Sequence, residues 1–539
     1  MSPDAPWWQS AVVYQVYPRS FALFYPDGRR RRRGSPEGGH EALRFGAGDL
    51  AGVRAHLDHL VWLGVDALWL SPFQPSPMAD FGYDVSDYCG VDPLFGTLEE
   101  FDRLVEDAHR LGLRVLIDWV PNHTSVEHPW FAAARSSRDD PRRDFYVWRD
   151  GRDGDPAVPP NNWVRAFGEG PAWTFDDTTG QWYLHLFLPE QPDLNWANPE
   201  VEAAMTDTLR FWLDRGVDGF RIDVVHALGK DPTLPDLAAE LASVPFCALS
   251  DHPSTHKVLR ELRKVLDASP QRAVALGEVF LPRTEQIASY YGNGDELHLA
   301  FNFPAMNCRF SASCFTRRID EAARFFEPRD AWPVWVLSNH DRPRHRTRFG
   351  GSERRARAAA LLLLALRGTP CLYAGEELGL EDAVVAPEHA VDPGGRDGCR
   401  APIPWDGSPD HGWALAGGPS WLPWPPDAGR RNVASLAGDD ESILNLYRRM
   451  LALRRDSPAL SAGTLDRLEV PGEVVAFERR SGDDCRVVVV NFSDSKAALA
   501  AEVFGSGRGL EVELASYGAS GGPFDGTVAP EQALVLRPY

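Results

Sequence analysis

The stretch FWLDRGVDGFRIDV, residues 211–224, changes its period halfway. Up to Arg215 the pattern is that of an amphipathic helix. Gly216 then stops the helix, and Gly219–Val224 reads as an apolar strand. The same phrase recurs in HLVWLGVDALWLSP (59–72, with Gly64) and AHRLGLRVLIDWV (108–120, with Gly112). Followed along the chain, it predicts strands near Val12–Tyr17, Ala67–Leu70, Arg114–Trp119, Gly219–Val224, Ala273–Val279, Leu297–Phe303, Val334–Ser338 and Cys371–Ala374. Helical patterns fall between them, as at Leu98–Leu111, Glu200–Arg215, Thr255–Asp267, Phe315–Phe326 and Arg354–Arg367. Short apolar strands alternating with helices make a parallel sheet buried on both faces, and eight such units close into an α/β fold of the (β/α)8 TIM-barrel type. An open doubly wound sheet is the alternative, but no GxGxxG follows the first strand.

Two stretches break the alternation. From Val126 to about Trp196 the chain is rich in Asp, Pro and Trp and too long for an ordinary strand-to-helix loop, so it reads as an inserted subdomain after strand 3. A second irregular stretch, about Leu380–Asp440, is crowded with Pro, Gly and Trp. Beyond the helix Ile443–Arg455, short alternating runs such as EVVAFERR and CRVVVVNF predict a C-terminal antiparallel β-sandwich. The expected division is a barrel over 1–120 and 197–461, an insertion over 121–196 and a sandwich over 462–539.

The bulk properties exclude more than they select. The chain has 539 residues, 43% hydrophobic and 25% charged, with a net charge of −21. That acidity disfavours nucleic acid or an anionic membrane as a partner. The longest apolar run, Ala358–Leu366, is far short of the roughly 20 residues of a membrane span. The N-terminus MSPDAPWWQS lacks the features of a secretory signal. The seven cysteines are scattered singly with no CxxC pair, which argues against a disulfide framework or a zinc site and for a cytoplasmic location. The run Arg29–Arg33, flanked by Gly, Pro and Ser, reads as a solvated loop rather than a polyanion-binding arm.

Charged residues gather at the C-terminal ends of four of these strands. Strand three ends in Asp118, followed by Asn122 and His123. Strand four carries Arg221 and Asp223, which alternation places on one face. Strand five ends in Glu278, and strand seven runs into His340 and Asp341. In such a barrel the active site lies at the C-terminal ends of the strands, so these groups converge on its mouth. Any one of them has a structural reading, as a buried ion pair or a turn cap. Their convergence at one rim points to chemistry. Two carboxylates, one ionised and one protonated, are the machinery of glycoside hydrolysis. Arg221 beside Asp223 would keep that carboxyl ionised, whereas the apolar neighbours Leu276, Val279 and Phe280 would raise the pKa of Glu278.

DWVPNHTS (118–125), GFRIDVVHAL (219–228), GEVF (277–280) and SNHD (338–341), in this order, resemble the four signature regions of glycoside hydrolase family 13, the α-amylase family. QPDLNW (191–196), DFGYDVSDY (80–88), FGTLEEFDRLVEDAH (95–109) and DGCRAPIPW (397–405) resemble its α-glucosidase and oligo-1,6-glucosidase branch. The resemblance covers nearly the whole chain. It implies Asp223 as nucleophile, Glu278 as acid/base and Asp341 as the third carboxylate, holding the sugar's 2- and 3-hydroxyls. Arg221 would orient Asp223, His123 and His340 would bind the glucosyl ring, and Tyr83 would stack beneath it. Asp80 and Arg400 would grip the non-reducing end and close the pocket behind one glucose, and Phe167 and Phe187 would line it.

The implied activity is that of a retaining, exo-acting α-glucosidase on short α-glucoside oligosaccharides, acting without a cofactor as a monomer or homo-oligomer. The alternative is a glucosyl-transferring relative such as trehalose synthase, sucrose isomerase or a sucrose-cleaving enzyme. RPRHRTRFGG lacks the alternating Asp of the sucrose-isomerase specificity loop, which weakens that route. Relatives that serve as heavy chains of amino-acid transporters carry a membrane anchor and many lack the acidic triad, unlike this chain. Where relatives bind calcium after the first strand, only Asp49 matches and five arginines intervene, so no metal is expected there. Val224, next to the nucleophile, tends in relatives to accompany α-1,6 linkages, but VVHAL is not the usual continuation there, and the linkage stays open.

Overall fold

The computed structural model describes residues 6–24, 46–241, 251–413, 419–504 and 509–539. Eight parallel strands close a barrel: β1 (Val13–Val16), β2 (Ala67–Leu70), β3 (Arg114–Trp119), β4 (Gly219–Ile222), β5 (Val274–Gly277), β6 (Leu299–Phe301), β7 (Pro333–Val336) and β8 (Thr369–Tyr373), with β1 paired to both β2 and β8. Each predicted strand is present. Several end earlier than predicted, because Asp223, Glu278 and Ser338 have already left the ladder.

The helices pack outside the barrel. The helix α1 (Leu98–Arg110) shows why they form. The Thr97 side chain accepts from the Glu100 N–H, Glu99 and Glu100 occupy the first turn, and His109 and Arg110 the last, each favourable to the helix dipole. Phe101, Leu104, Val105 and Ala108 form one buried stripe, and fully burying each large side chain contributes about 1.5–3 kcal/mol. Gly112 and Gly216, just beyond two of these helices, take φ of 83° and 87°, a turn that any Cβ would strain. The remaining long helices are α2 (Pro199–Asp214), α3 (Ser254–Asp267), α4 (Ala312–Phe325), α5 (Glu353–Ala365) and α6 (Ile443–Asp456). The apolar run near Ala358 lies in α5 and is buried on every side. No helix among the described residues is long and apolar enough to cross a membrane.

Between β3 and α2 the chain builds a small three-stranded antiparallel sheet (Trp148–Arg149, Gln181–Leu184, Trp173–Asp176) with its own core around Trp163, Trp173 and Leu184. Val224 and Ala227 from the loop after β4 join that core, so the insertion is seated on the loop that follows Asp223. The C-terminal part is a five-stranded antiparallel sheet in the order β9 (Thr464–Leu468), β10 (Val474–Ser481), β11 (Asp484–Asn491), β13 (Ala533–Pro538), β12 (Leu510–Ala515). A two-stranded ribbon, Ala497–Ala498 with Thr527–Val528, covers one face.

One reading needs correcting. Cys308 and Cys314, six residues apart, form a disulfide, so the cysteines are not all free thiols. Single spacing hid the pair, because a short connection brings Cys308, just past the short helix Phe303–Met306, back against Cys314 in the first turn of α4. Cys89, Cys371, Cys399 and Cys485 are free, and Cys247 lies outside the described residues. The run Arg29–Arg33 and most of the loop expected to lack calcium also lie outside them. Asp49 caps the helix Leu50–Ala55, accepting from the Gly52 N–H at 2.6 Å. Among the described residues no group of three or more His, Cys, Asp or Glu could hold a metal.

Candidate active site

Pairing in the barrel sets Asp118 on β3 opposite Arg221 on β4. Both point inward above Trp69, whose ring lies 5.3 Å from the Arg221 guanidinium and whose indole N–H donates to Asp118 at 3.1 Å. From this fully buried position Arg221 reaches three carboxylates: Asp118 at 2.8 Å, Asp223 at 2.6 Å and Glu278 at 2.7 Å. Asp223 and Glu278 each sit one residue past a strand and keep their backbone N–H groups on the neighbouring strand end, on Trp119 and Ile222 respectively. The Val224 N–H, presented by a left-handed residue at φ 35°, donates to Glu278 at 3.1 Å. A β-branched residue in that region is strained, so the surrounding contacts must enforce the turn.

One guanidinium among three carboxylates leaves a net negative cluster, and several kcal/mol oppose each buried ion. Burial therefore raises the Asp223 pKa; Arg221 works against this, and the neighbouring Glu278 and Asp118 reinforce it. Arg221 thus pulls Asp223 toward the ionised form, but its charge is shared with Asp118 and Glu278. Burial likewise pushes Asp118 up to about 6, against the pull of Arg221. A proton retained within such a cluster belongs to the group rather than to one residue, and an acid paired with a base needs that state.

Asp341 is controlled differently. Burial alone would raise its pKa, but His340, Arg396, Arg400 and Arg221 hold it well below the usual carboxylate range. Arg396 and Arg400 donate to its Oδ1 at 3.0 and 3.2 Å. His340 stands behind it, completely buried and kept neutral, its pKa pushed down to about 3 by burial. Its Nδ1 faces the Gln15 amide at 2.6 Å and its Nε2 the Tyr83 hydroxyl at 2.6 Å, and Tyr83 in turn donates to Asp118 at 3.2 Å. The Tyr83 ring stacks on His340 at 5.4 Å, so a chain of hydrogen bonds runs under the floor of the site.

These groups border one cavity of about 430 Å³ at the C-terminal ends of the strands. Asp80, Tyr83, His123, Phe167, Phe187, Asp223, Val224, Glu278 and Asp341 line it. His123 is neutral, its pKa pushed down to about 4 by burial, and its ring lies 5.2 Å from Phe187. Arg221, His340 and Arg400 stand behind the lining.

Of the two residues expected to grip the non-reducing end, Asp80 lines the cavity and Arg400 does not. The guanidinium on Asp80 belongs to Arg396, at 2.5 Å, which also meets Asp392 at 2.6 Å and stacks over Phe167 at 4.9 Å. Arg400 is fully buried, bonded to the His340 carbonyl at 2.8 Å and to Asp392 at 3.1 Å. Both arginines belong to one tight turn, and only the three-dimensional path shows which one faces the cavity.

Two further residues were not among the predicted site residues, although Gln191 opens the QPDLNW stretch. Gln191 of the insertion donates to Asp80 at 3.1 Å. Lys230, seven residues after Asp223, places its buried ammonium between Asp193 at 2.9 Å, Asn122 at 3.1 Å and the Ala227 carbonyl at 3.0 Å. A fixed internal cation thus joins the insertion, the β3 loop and the β4 loop.

Residues 15–463 match the model of the α-amylase catalytic domain. The chain is 42% identical over 532 residues to a probable α-glucosidase of Rhizobium meliloti (strain 1021), covering 92% of this chain and 91% of the relative. It is 34% identical over 536 residues to an oligo-1,6-glucosidase of Parageobacillus thermoglucosidasius, covering 90% and 91%. Among solved structures, the α-glucosyl transfer enzyme XgtA superposes with a TM-score of 0.87 at 39% identity, covering 99% of this chain and 100% of that one.

Proposed function

The chain belongs to the α-amylase family, in its α-glucosidase branch, and is a glycoside hydrolase; within that class we propose that it is a retaining, exo-acting α-glucosidase releasing α-glucose from the non-reducing end of short α-glucosides. The observation that carries the exo reading is the Asp80–Arg396 ion pair at the edge of the cavity, tied through Arg396 to Asp341. A buried ion pair there blocks a continuous cleft and offers charged hydrogen bonds to terminal hydroxyls.

In this mechanism Asp223 attacks the anomeric carbon while Glu278 protonates the departing oxygen. The bond to the leaving group breaks, a covalent β-glucosyl ester forms, and water deprotonated by Glu278 releases α-glucose. Arg221 orients both carboxylates. Asp341, held ionised, accepts from the 2- and 3-hydroxyls as the ring distorts. His123 contacts the glucosyl ring, Tyr83 lies beneath it, and Phe167, Phe187 and Val224 exclude water. His340 and Arg400 act through Tyr83 and Asp341, as positioning residues.

Glucosyl transfer is the second reading, favoured by the 39% identity to XgtA over nearly the whole chain. It shares every step up to the ester and differs only in the acceptor. The test is the product profile from maltose, isomaltose, sucrose and trehalose, each supplied separately with an EDTA control. Free glucose appearing first as the α-anomer supports the proposal. Isomerised or elongated products with little free glucose move the assignment to transfer, and the β-anomer as first product refutes retention.

A further inference from the structure

Two groups of side chains divide the cavity. Asp80, Tyr83 and Arg396 belong with Asp341, on the glucosyl side of the proposed reaction. Phe280 lies two residues beyond Glu278, whose carboxyl must face the departing oxygen. The guanidinium of Arg342, the residue after Asp341, lies 5.3 Å from the Phe280 ring, and Phe303 lies 5.7 Å from it on its edge. All three line the cavity.

The two arginines of the cavity differ in their charge balance. Arg396 is neutralised by Asp80, Asp341 and Asp392. Asp223 and Glu278 are engaged by Arg221. Arg342 is half-buried, and among the described residues no carboxylate forms an ion pair with it. A guanidinium without an ion-pair partner on an aromatic face, in a cavity that also presents the carboxyls of Asp80, Asp223, Glu278 and Asp341, makes one place where an anion is welcome.

Resting on the hydrolase reading of the same site, we propose that Arg342 and Phe280 form a leaving-group subsite selecting α-glucosides whose aglycone carries an anionic group, a carboxylate or a phosphate. The aromatic faces take the body of the aglycone, and the guanidinium takes two oxygens of its anion side by side.

The test compares 4-carboxyphenyl with phenyl α-D-glucopyranoside, which have closely similar leaving groups. The wild-type kcat/KM ratio, charged over neutral, is expected to be at least about tenfold, the scale of one charged hydrogen bond near 1.4 kcal/mol. Arg342→Gln should bring it close to one, and Arg342→Lys should retain part of it. Raising the salt concentration should shrink the wild-type ratio and leave that of Arg342→Gln unmoved. A wild-type ratio near one, or a ratio unchanged in Arg342→Gln, overturns the subsite while leaving the hydrolase reading intact. Should neither glucoside be cleaved, the hydrolase reading fails, and binding decides the subsite. Calorimetric titration should then show 4-hydroxybenzoate binding about tenfold more tightly than phenol to the wild type but not to Arg342→Gln, and equal binding overturns it.

Discussion

Replacing Arg396 by methionine removes the guanidinium but keeps an unbranched side chain against Phe167. Three carboxylates lose a partner, but unequally. Arg400 still reaches Asp392 at 3.1 Å and Asp341 at 3.2 Å. Asp80, 3% exposed, keeps among the described residues the neutral Gln191 amide as its side-chain hydrogen-bond partner, with the Arg400 charge farther off. The penalty therefore belongs mainly to one buried charge, for which removing a partner costs about 3–5 kcal/mol. At about 2.1 cal/mol/K per residue, a chain of 539 residues loses about 1 °C per kcal/mol, so the melting temperature should fall by about 3–5 °C. The lost charged hydrogen bonds to substrate should lower kcat/KM on maltose by a further factor of about 10–100. The pH profile supplies an independent sign. Arg396 is one of the groups holding Asp341 low, so its removal raises that carboxyl and moves the acid limb of kcat/KM toward higher pH. Scanning calorimetry with Michaelis–Menten kinetics from pH 4 to 8 checks all three. A lower melting temperature with kcat/KM within twofold of wild type and an unmoved acid limb would refute a substrate-gripping role and leave Arg396 as structure alone.

Asp223→Asn and Glu278→Gln should each lower kcat on maltose by at least about 10³-fold with the fold retained, as circular dichroism would verify; full activity in either would remove that residue from the mechanism. Lys230→Met leaves Asp193 buried without its cation and should lower stability by about 3–5 kcal/mol, whereas EDTA should leave the wild-type melting temperature unchanged. The buried histidines His59, His123, His128 and His185, pushed down to about 4, and His340, pushed down to about 3, take up protons near pH 6.5 only when the chain unfolds. Their contribution is therefore complete above pH 6.5 and lost as pH falls toward 4, which a series of melting temperatures would show and His185→Gln should weaken. A melting temperature flat across that window would contradict the neutral assignment.

The barrel was legible because its signal repeats: helix, glycine, then a strand apolar on both faces. The ends of the strands were less so, since Asp223, Glu278 and Ser338 look like continuations of strands and instead begin the loops. Alternation correctly placed Arg221 and Asp223 on one face, yet nothing local could say that the same guanidinium also serves Asp118 and Glu278 from neighbouring strands. Arg396 and Arg400 differ by four positions in one turn, and exposure to the cavity depends on contacts with Asp80, far away in the chain. Nothing in the sequence around Lys230 points to a partner, and its partners at 122 and 193 become visible only once the insertion is folded back. The disulfide escaped for the opposite reason: its partners are close in sequence, but spacing alone does not tell a bridge from two free thiols.

The ammonium of Lys230 is bound by a covalent tether, so its occupancy obeys no dissociation constant. A diffusible cation at the same point would stabilise the fold by mass action, strengthening as its concentration rose and vanishing on dilution or chelation. At this contact that dependence is absent, because the charge between Asp193 and Asn122 is supplied by the chain. The same tether removes a means of control, because no change of metal concentration can withdraw the Lys230 ammonium from Asp193 and Asn122. Only a change in the chain itself can, which makes position 230 the place where engineered dependence on an added cation could be built in.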